Sequence, residues 1–163
     1  MTFKTADLCD EFAGLVEIVE PGFLGYGGEA VFCGPISTVK CFEDNSRVRE
    51  QLSTPGHGRV LVVDAGGSQR RAMLGDLLAQ MAVDNHWVGV VMYGMIRDSH
   101  DINQMSIGVR ALGTHPLKSE KKNIGDIDVE VSFHGVTFKP GEYLYADHDG
   151  ILVSHENLAF AQE

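Results

Sequence analysis

An α/β fold, one domain whose strands pair both parallel and antiparallel, is what the sequence predicts, and three observations predict it. Two short β-rich apolar runs, Val60-Leu-Val-Val63 and Val88-Gly-Val-Val-Met-Tyr93, flank an amphipathic segment from Gly75 to Asp84. Period-two alternation on both sides of His134-Gly135 marks a hairpin in the C-terminal part. The chain has 163 residues, 44% hydrophobic and 22% charged, which is ordinary globular composition for a single domain over 1–163.

Taken in order, Thr5 to Phe12 reads as a short helix capped by Thr5 or Asp7. Glu20 to Gly28 follows as an irregular glycine-rich loop. Ala30 to Phe32 and Ile36 to Phe42 alternate as two strands around a turn at Cys33-Gly34-Pro35. Arg47 to Leu52 forms a helix stopped by Thr54-Pro55-Gly56. The run at Val60 is a buried strand that opens into the loop Asp64-Ala-Gly-Gly67. In the next segment Leu77, Leu78, Met81 and Ala82 share one helical face, while Asp76, Gln80 and Asp84 share another. With the strand at Val88 this completes a βαβ unit, whose strands run parallel. Val129–Phe133 and Val136–Phe138 form the hairpin, and Glu142–Ala146 and Ile151–Ser154 form two more strands around Asp147-His-Asp-Gly150.

Charge and motifs narrow the function. The net charge of −10 argues against binding nucleic acid or an anionic membrane, both of which recruit Lys and Arg. The three cysteines form no CxxC and leave an odd thiol, as expected of a reduced, cytoplasmic protein. No apolar run is long enough to span a bilayer, and the acidic segment Met1 to Glu11 has no signal-peptide pattern. Arg70 replaces the last glycine of a G-x-S-x-G elbow, and no Gly-Lys-Ser/Thr supports a P-loop. The seven histidines show no HExxH, so a zinc hydrolase is not expected. The Lys118, Lys121 and Lys122 cluster reads as a solvated loop, and Lys40 is the sole candidate for a Schiff-base lysine.

One constellation survives. Gly75 and Asp76 open a helix after a strand and loop, so the amides of Gly75, Asp76, Leu77 and Leu78 would form an anion site. Arg97 and Asp98 follow the carboxyl end of the next strand, the edge at which α/β sheets bind ligands. Asp101 lies three residues on, so one turn would bring it to the side of Asp98. An arginine beside carboxylates can hold a substrate carboxylate while the acids hold a hard cation. The plainer reading of the same residues is a helix N-terminal signal and a surface ion pair worth about 0–1 kcal/mol.

At Leu8-Cys-Asp10, Lys40-Cys-Phe-Glu-Asp-Asn45, Gly58-Arg-Val-Leu-Val-Val-Asp64, Gly66-Gly-Ser68, Gly135-Val-Thr-Phe138, Leu144-Tyr-Ala-Asp147 and Gly150-Ile151 the chain resembles the family of regulator of ribonuclease activity A. The resemblance covers nearly the whole chain and implies a swivelling β/β/α domain assembled as a homotrimer. It implies one of two activities. The first is a divalent-metal-dependent lyase that cleaves 4-hydroxy-4-methyl-2-oxoglutarate or 4-carboxy-4-hydroxy-2-oxoadipate and decarboxylates oxaloacetate. The second is binding and inhibition of ribonuclease E without catalysis. The lyase branch carries Asp-x20-Arg-Asp-x2-Glu/Asp, matched here by Asp76, Arg97, Asp98 and Asp101. By that resemblance Asp98 ligates Mg²⁺ or Mn²⁺ directly, and Asp76 and Asp101 reach it through water. Arg97 and the Gly75 to Leu78 backbone bind the substrate, and Asp76 and Arg97 serve catalysis. Members that only regulate often lack the aspartate after the arginine, so its presence points to the enzyme. A small-molecule methyltransferase, a name also attached to this family, finds no dinucleotide-like fingerprint here.

Overall fold

The computed structural model describes residues 2–158. Among the described residues four helices and twelve strands form one mixed α/β domain. In chain order they are α1 (Thr5–Glu11), β1 (Val16–Ile18), β2 (Leu24–Tyr26), β3 (Phe32–Lys40), α2 (Ser46–Leu52), β4 (Val60–Asp64), β5 (Ala72–Leu74), α3 (Asp76–Asp84), β6 (Gly89–Ile96), α4 (Ser99–Ile102), β7 (Gly108–Thr114), β8 (Asp126–Ile127), β9 (Val131–Phe133), β10 (Val136–Phe138), β11 (Tyr143–Ala146) and β12 (Ile151–Ser154). The main sheet has the order β1-β12-β11-β3-β4-β6-β7-β2, with β5 added to β6 and β8 to β3. Its centre, β3-β4-β6-β7, is parallel, and both edges are antiparallel.

The parallel strands are buried on both faces, which is why they read as continuous apolar runs. Alternate residues of β4 divide two cores. Leu61 and Val63 pack with Val48, Leu52, Leu78 and Ala82 of the helices. Val60 and Val62 pack with Val131, Phe133, Val136 and Phe138 of the β9–β10 hairpin. Helices thus cover one face and the hairpin the other. A smaller cluster of Leu8, Tyr145, Leu152 and Leu158 docks α1.

Several expectations need correction. The segment around Cys33-Gly34-Pro35 is no turn, because β3 runs straight through it. The strand changes partner there instead: Phe32 to Pro35 pair with β11, and Ile36 to Lys40 pair with β4. Pro35 tolerates that handover, and glycine is required before it, since a Cβ on Gly34 would collide with the Gly58 carbonyl. Neither Thr5 nor Asp7 caps α1, whose first residue is preceded by Lys4 without a side-chain cap. Thr5 donates both its amide and its hydroxyl to Asp147 at 2.7 Å, tying the helix to the β11–β12 turn. The glycine-rich stretch before β3 contains β2, which pairs with β7. The hairpin has the expected register, Phe133 opposite Val136, with His134 and Gly135 both at positive φ.

Candidate active site

Register positions the site. Short β5 pairs in parallel with β6, and the Arg97 amide donates to the Leu74 carbonyl at 2.9 Å. Gly75, the residue after β5, therefore lies beside Arg97, the residue after β6. Helix α3 starts directly at Asp76, so its N-terminus faces the carboxyl end of the sheet. The chain then turns at Asp98, which adopts left-handed geometry (φ 56°, ψ 39°) and opens the short α4. Aspartate is among the few residues that take this conformation readily.

The Asp98 carboxylate reaches back across the gap. Its Oδ2 accepts the Asp76 amide at 3.0 Å and lies 4.0 Å from Arg97 Nε. Gly75 itself offers α3 no side-chain cap, so Asp98 supplies one from another element. Close packing at this point leaves no room for a side chain at position 75 unless Asp98 and Arg97 shift, because a Cβ there would stand 2.9 Å from Asp98 Oδ2 and 3.4 Å from Arg97 Nε. Arg97 Nη1 also lies 3.5 Å from the Pro116 carbonyl. The site is open: the Arg97 and Asp98 side chains are 39% and 34% exposed, and Leu77 is exposed beside them.

Of the residues that the sequence singles out, Gly75, Asp76, Arg97 and Asp98 come together. The helix amides are less free than the sequence suggests. Asp76 N–H goes to Asp98, and Leu77 N–H goes to Asp76 Oδ1 at 2.8 Å. The amides of Gly75 and Leu78 complete the same terminus. Asp101 lies on α4, where its carboxylate is exposed and joins none of these contacts. Sequence reasoning missed the capping role of Asp98 and the steric role of Gly75. The first has a signal in retrospect, since an aspartate after a strand and before a short helix favours left-handed geometry. The second has none without the register.

Among the described residues no group of three or more His, Cys, Asp or Glu is gathered to enclose a metal ion. A single hard carboxylate still fits Mg²⁺, which keeps several waters and takes one or two carboxylates together with substrate oxygens. Both contacts of Asp98 fall on Oδ2, so its second oxygen is the donor such an ion would use.

Comparison with known proteins identifies the family. The family model described as Aldolase/RraA matches residues 5–153. The chain belongs to this family. A relative from Hahella chejuensis, provisionally named a 4-hydroxy-4-methyl-2-oxoglutarate aldolase, is 54% identical over 163 residues, which is 100% of this chain and 99% of that one. One from Aromatoleum aromaticum with the same provisional name is 58% identical over 158 residues, 97% of this chain and 99% of its own. Among solved structures, the RNA-processing inhibitor RraA from Thermus thermophilis superposes with a TM-score of 0.93 at 41% identity, covering 98% of this chain and 96% of that one. A Geobacillus kaustophilus protein titled S-adenosylmethionine:2-dimethylmenaquinone methyltransferase gives 0.92 at 51%, covering 96% and 97%. Likeness in this Aldolase/RraA family therefore spans proteins titled as enzymes and as an inhibitor. No helix among the described residues is long and apolar enough to cross a membrane.

Proposed function

We propose that this chain is a divalent-metal-dependent lyase acting on short 2-oxo acids, cleaving 4-hydroxy-4-methyl-2-oxoglutarate or 4-carboxy-4-hydroxy-2-oxoadipate and decarboxylating oxaloacetate. The observation that carries the reading is the convergence of Arg97 and Asp98 on the N-terminus of α3. The names of relatives at 54% and 58% identity support the aldol cleavage of 4-hydroxy-4-methyl-2-oxoglutarate.

In this reading Asp98 would hold the ion directly, and Asp76 and Asp101 would reach it through water. Bound Mg²⁺ or Mn²⁺ would supply Lewis acidity toward a keto oxygen, on the order of several kcal/mol. The guanidinium of Arg97, beside Asp98 and the Pro116 carbonyl, orients the substrate carboxylate and adds a positive donor where charge develops. Backbone amides of the Gly75 to Leu78 turn complete the carboxylate site, favoured by the helix dipole. These fixed local dipoles and Arg97 attract a dianion despite the net charge of −10, because distant surface charge is screened. Asp76 Oδ1 is held by the Leu77 amide, leaving Oδ2 to take the substrate hydroxyl proton through one water in aldol cleavage. Decarboxylation needs no such base. The homotrimer belongs to the same proposal, with exposed Leu77 as apolar surface for a neighbouring copy.

The test is pyruvate release from each substrate with Mg²⁺, measured against metal without protein. Turnover well above that control, abolished by EDTA, is expected. Rates equal to the control refute the lyase. A second reading, inhibition of ribonuclease E by direct binding, is favoured by the likeness to the Thermus inhibitor and by the acidic surface, which suits an arginine-rich partner. Co-elution with ribonuclease E that is lost at moderate salt is its signature.

A further inference from the structure

A second cationic site lies away from Arg97. Arg110 is central in β7 and only 6% exposed. Its guanidinium sits 5.2 Å from the centre of the Phe32 ring. Nη2 donates to the carbonyls of Ala30 at 2.6 Å and Asp147 at 3.1 Å, and Nη1 donates to that of Val109 at 3.2 Å. These acceptors are neutral. Among the described residues no carboxylate forms an ion pair with Arg110. The Asp147 carboxylate is turned to Thr5 and the Asp149 amide. A guanidinium carries five N–H donors, so Nε–H and one Nη1 hydrogen stay without an acceptor among the described residues.

A buried charge normally has a partner, because desolvation without one is costly. Here the Asp147 charge favours the cation without forming an ion pair with it, and Arg110 and Asp147 both line a cavity of about 460 Å³, bounded by Phe23, Gly25, Tyr26 and Gly150 among others. Gly25, directly opposite Arg110 in the β2–β7 pair, leaves the approach open: a Cβ there would lie 3.6 Å from Nη1 and 3.9 Å from Nε. We propose that this cavity binds a small monocarboxylate, with its carboxylate against the free Nε–H of Arg110. Glu20, Asp147 and Asp149 share the cavity wall, so a phosphate or other polyanion is repelled more strongly there than a single carboxylate.

The site is separate from Arg97 and Asp98 and does not depend on the lyase reading. It is tested on the full ¹⁵N-labelled chain in EDTA, titrated with acetate, with pyruvate and with inorganic phosphate. Saturable shifts at the Arg110 Nε–H and Gly25 amide are expected with the two carboxylates and not with phosphate. Gly25→Val, which keeps Arg110 and suits an extended strand, should weaken acetate binding read at the Arg110 Nε–H at least tenfold, whereas Arg97→Gln should leave the titration at that atom unchanged. Equal binding in wild type and Gly25→Val overturns the proposal, as does loss only in Arg97→Gln. A preference for phosphate overturns the class of ligand. Sedimentation of wild type and Gly25→Val decides the remaining case: an oligomer that dissociates in the variant would assign the cavity to a carboxylate of a second copy and refute the small-molecule site.

Discussion

Asp98 does two things at once, and two substitutions separate them. Asn keeps an oxygen that can accept the Asp76 amide and tolerates the left-handed backbone at φ 56°. It loses the charge, which near a helix N-terminus is worth about 0.3–1 kcal/mol. The Arg97 contact adds little, because at 4.0 Å and a third exposed it belongs with surface pairs of about 0–1 kcal/mol. Ala removes the acceptor, at about 1 kcal/mol, and places a residue without left-handed preference at that backbone, at about 1 kcal/mol more. Ala should then melt lower than Asn by roughly 2–4 °C per kcal/mol of difference. Both should lose metal-dependent pyruvate release by at least about 100-fold, beyond the 10–100-fold typical of residues one step removed from a metal. Thermal melts and turnover on the same samples provide the comparison. Asn retaining wild-type turnover refutes the ligand role, and Ala melting with wild type refutes the cap.

Gly75→Ala places a Cβ 2.9 Å from Asp98 Oδ2 at a backbone that any residue can adopt, so turnover should fall at least tenfold while the melting temperature moves little; equal turnover would show that this packing is slack. Burial alone would raise the pKa of Asp147, but donors from Thr5, Asp149 and Gly150 outweigh it and the pKa is lowered. Its stabilisation is therefore complete above the unfolded value of about 3.9 and lost as pH falls through the folded one; Asp147→Asn should flatten the acid limb of a stability–pH curve, and an unchanged limb would refute this. Burial, followed by Asp44 and Asp64, pushes the Cys41 thiol up to about 12, so a thiol reagent at pH 8 should leave Cys41 unmodified in the folded chain and label it on unfolding. Prompt native labelling of Cys41 would contradict its burial.

The elements that the sequence reveals are those whose pattern repeats long enough to be read. The apolar run at Val60, the helical period of α3 and the hairpin at His134-Gly135 each carry their own period or turn chemistry, although the buried stripe of α3 is Leu78, Ala79 and Ala82, and Leu77, expected on it, is exposed. Strand β7 does not, because Arg110 and two glycines interrupt its apolar residues, although every position but Leu112 and Thr114 is buried. Strand β5 is three residues long and has no room for a period. That gap matters for the site: Asp76, Arg97 and Asp98 are recognisable by type and spacing, but what unites them is the β5–β6 register. Gly75 likewise reads as a helix start, and its need for an absent side chain appears only once Asp98 is folded against it.

The same arrangement sets how tightly the proposed ion is held. Asp98 already accepts an amide at the positive end of α3 and faces Arg97, and both contacts stabilise its negative charge. A carboxylate so engaged is a poorer donor to a cation, and no group of three or more His, Cys, Asp or Glu is gathered among the described residues to assist it. An ion bound by one protein oxygen and water gains most of its remaining ligands from the substrate itself. The apparent Mg²⁺ requirement should therefore fall as substrate concentration rises, and desalting should strip activity that added Mg²⁺ restores. Turnover measured across a grid of metal and substrate concentrations shows the coupling directly. An ion retained through desalting, or a metal requirement independent of substrate, would mean that the protein alone completes the coordination and that Asp98 is not its principal ligand.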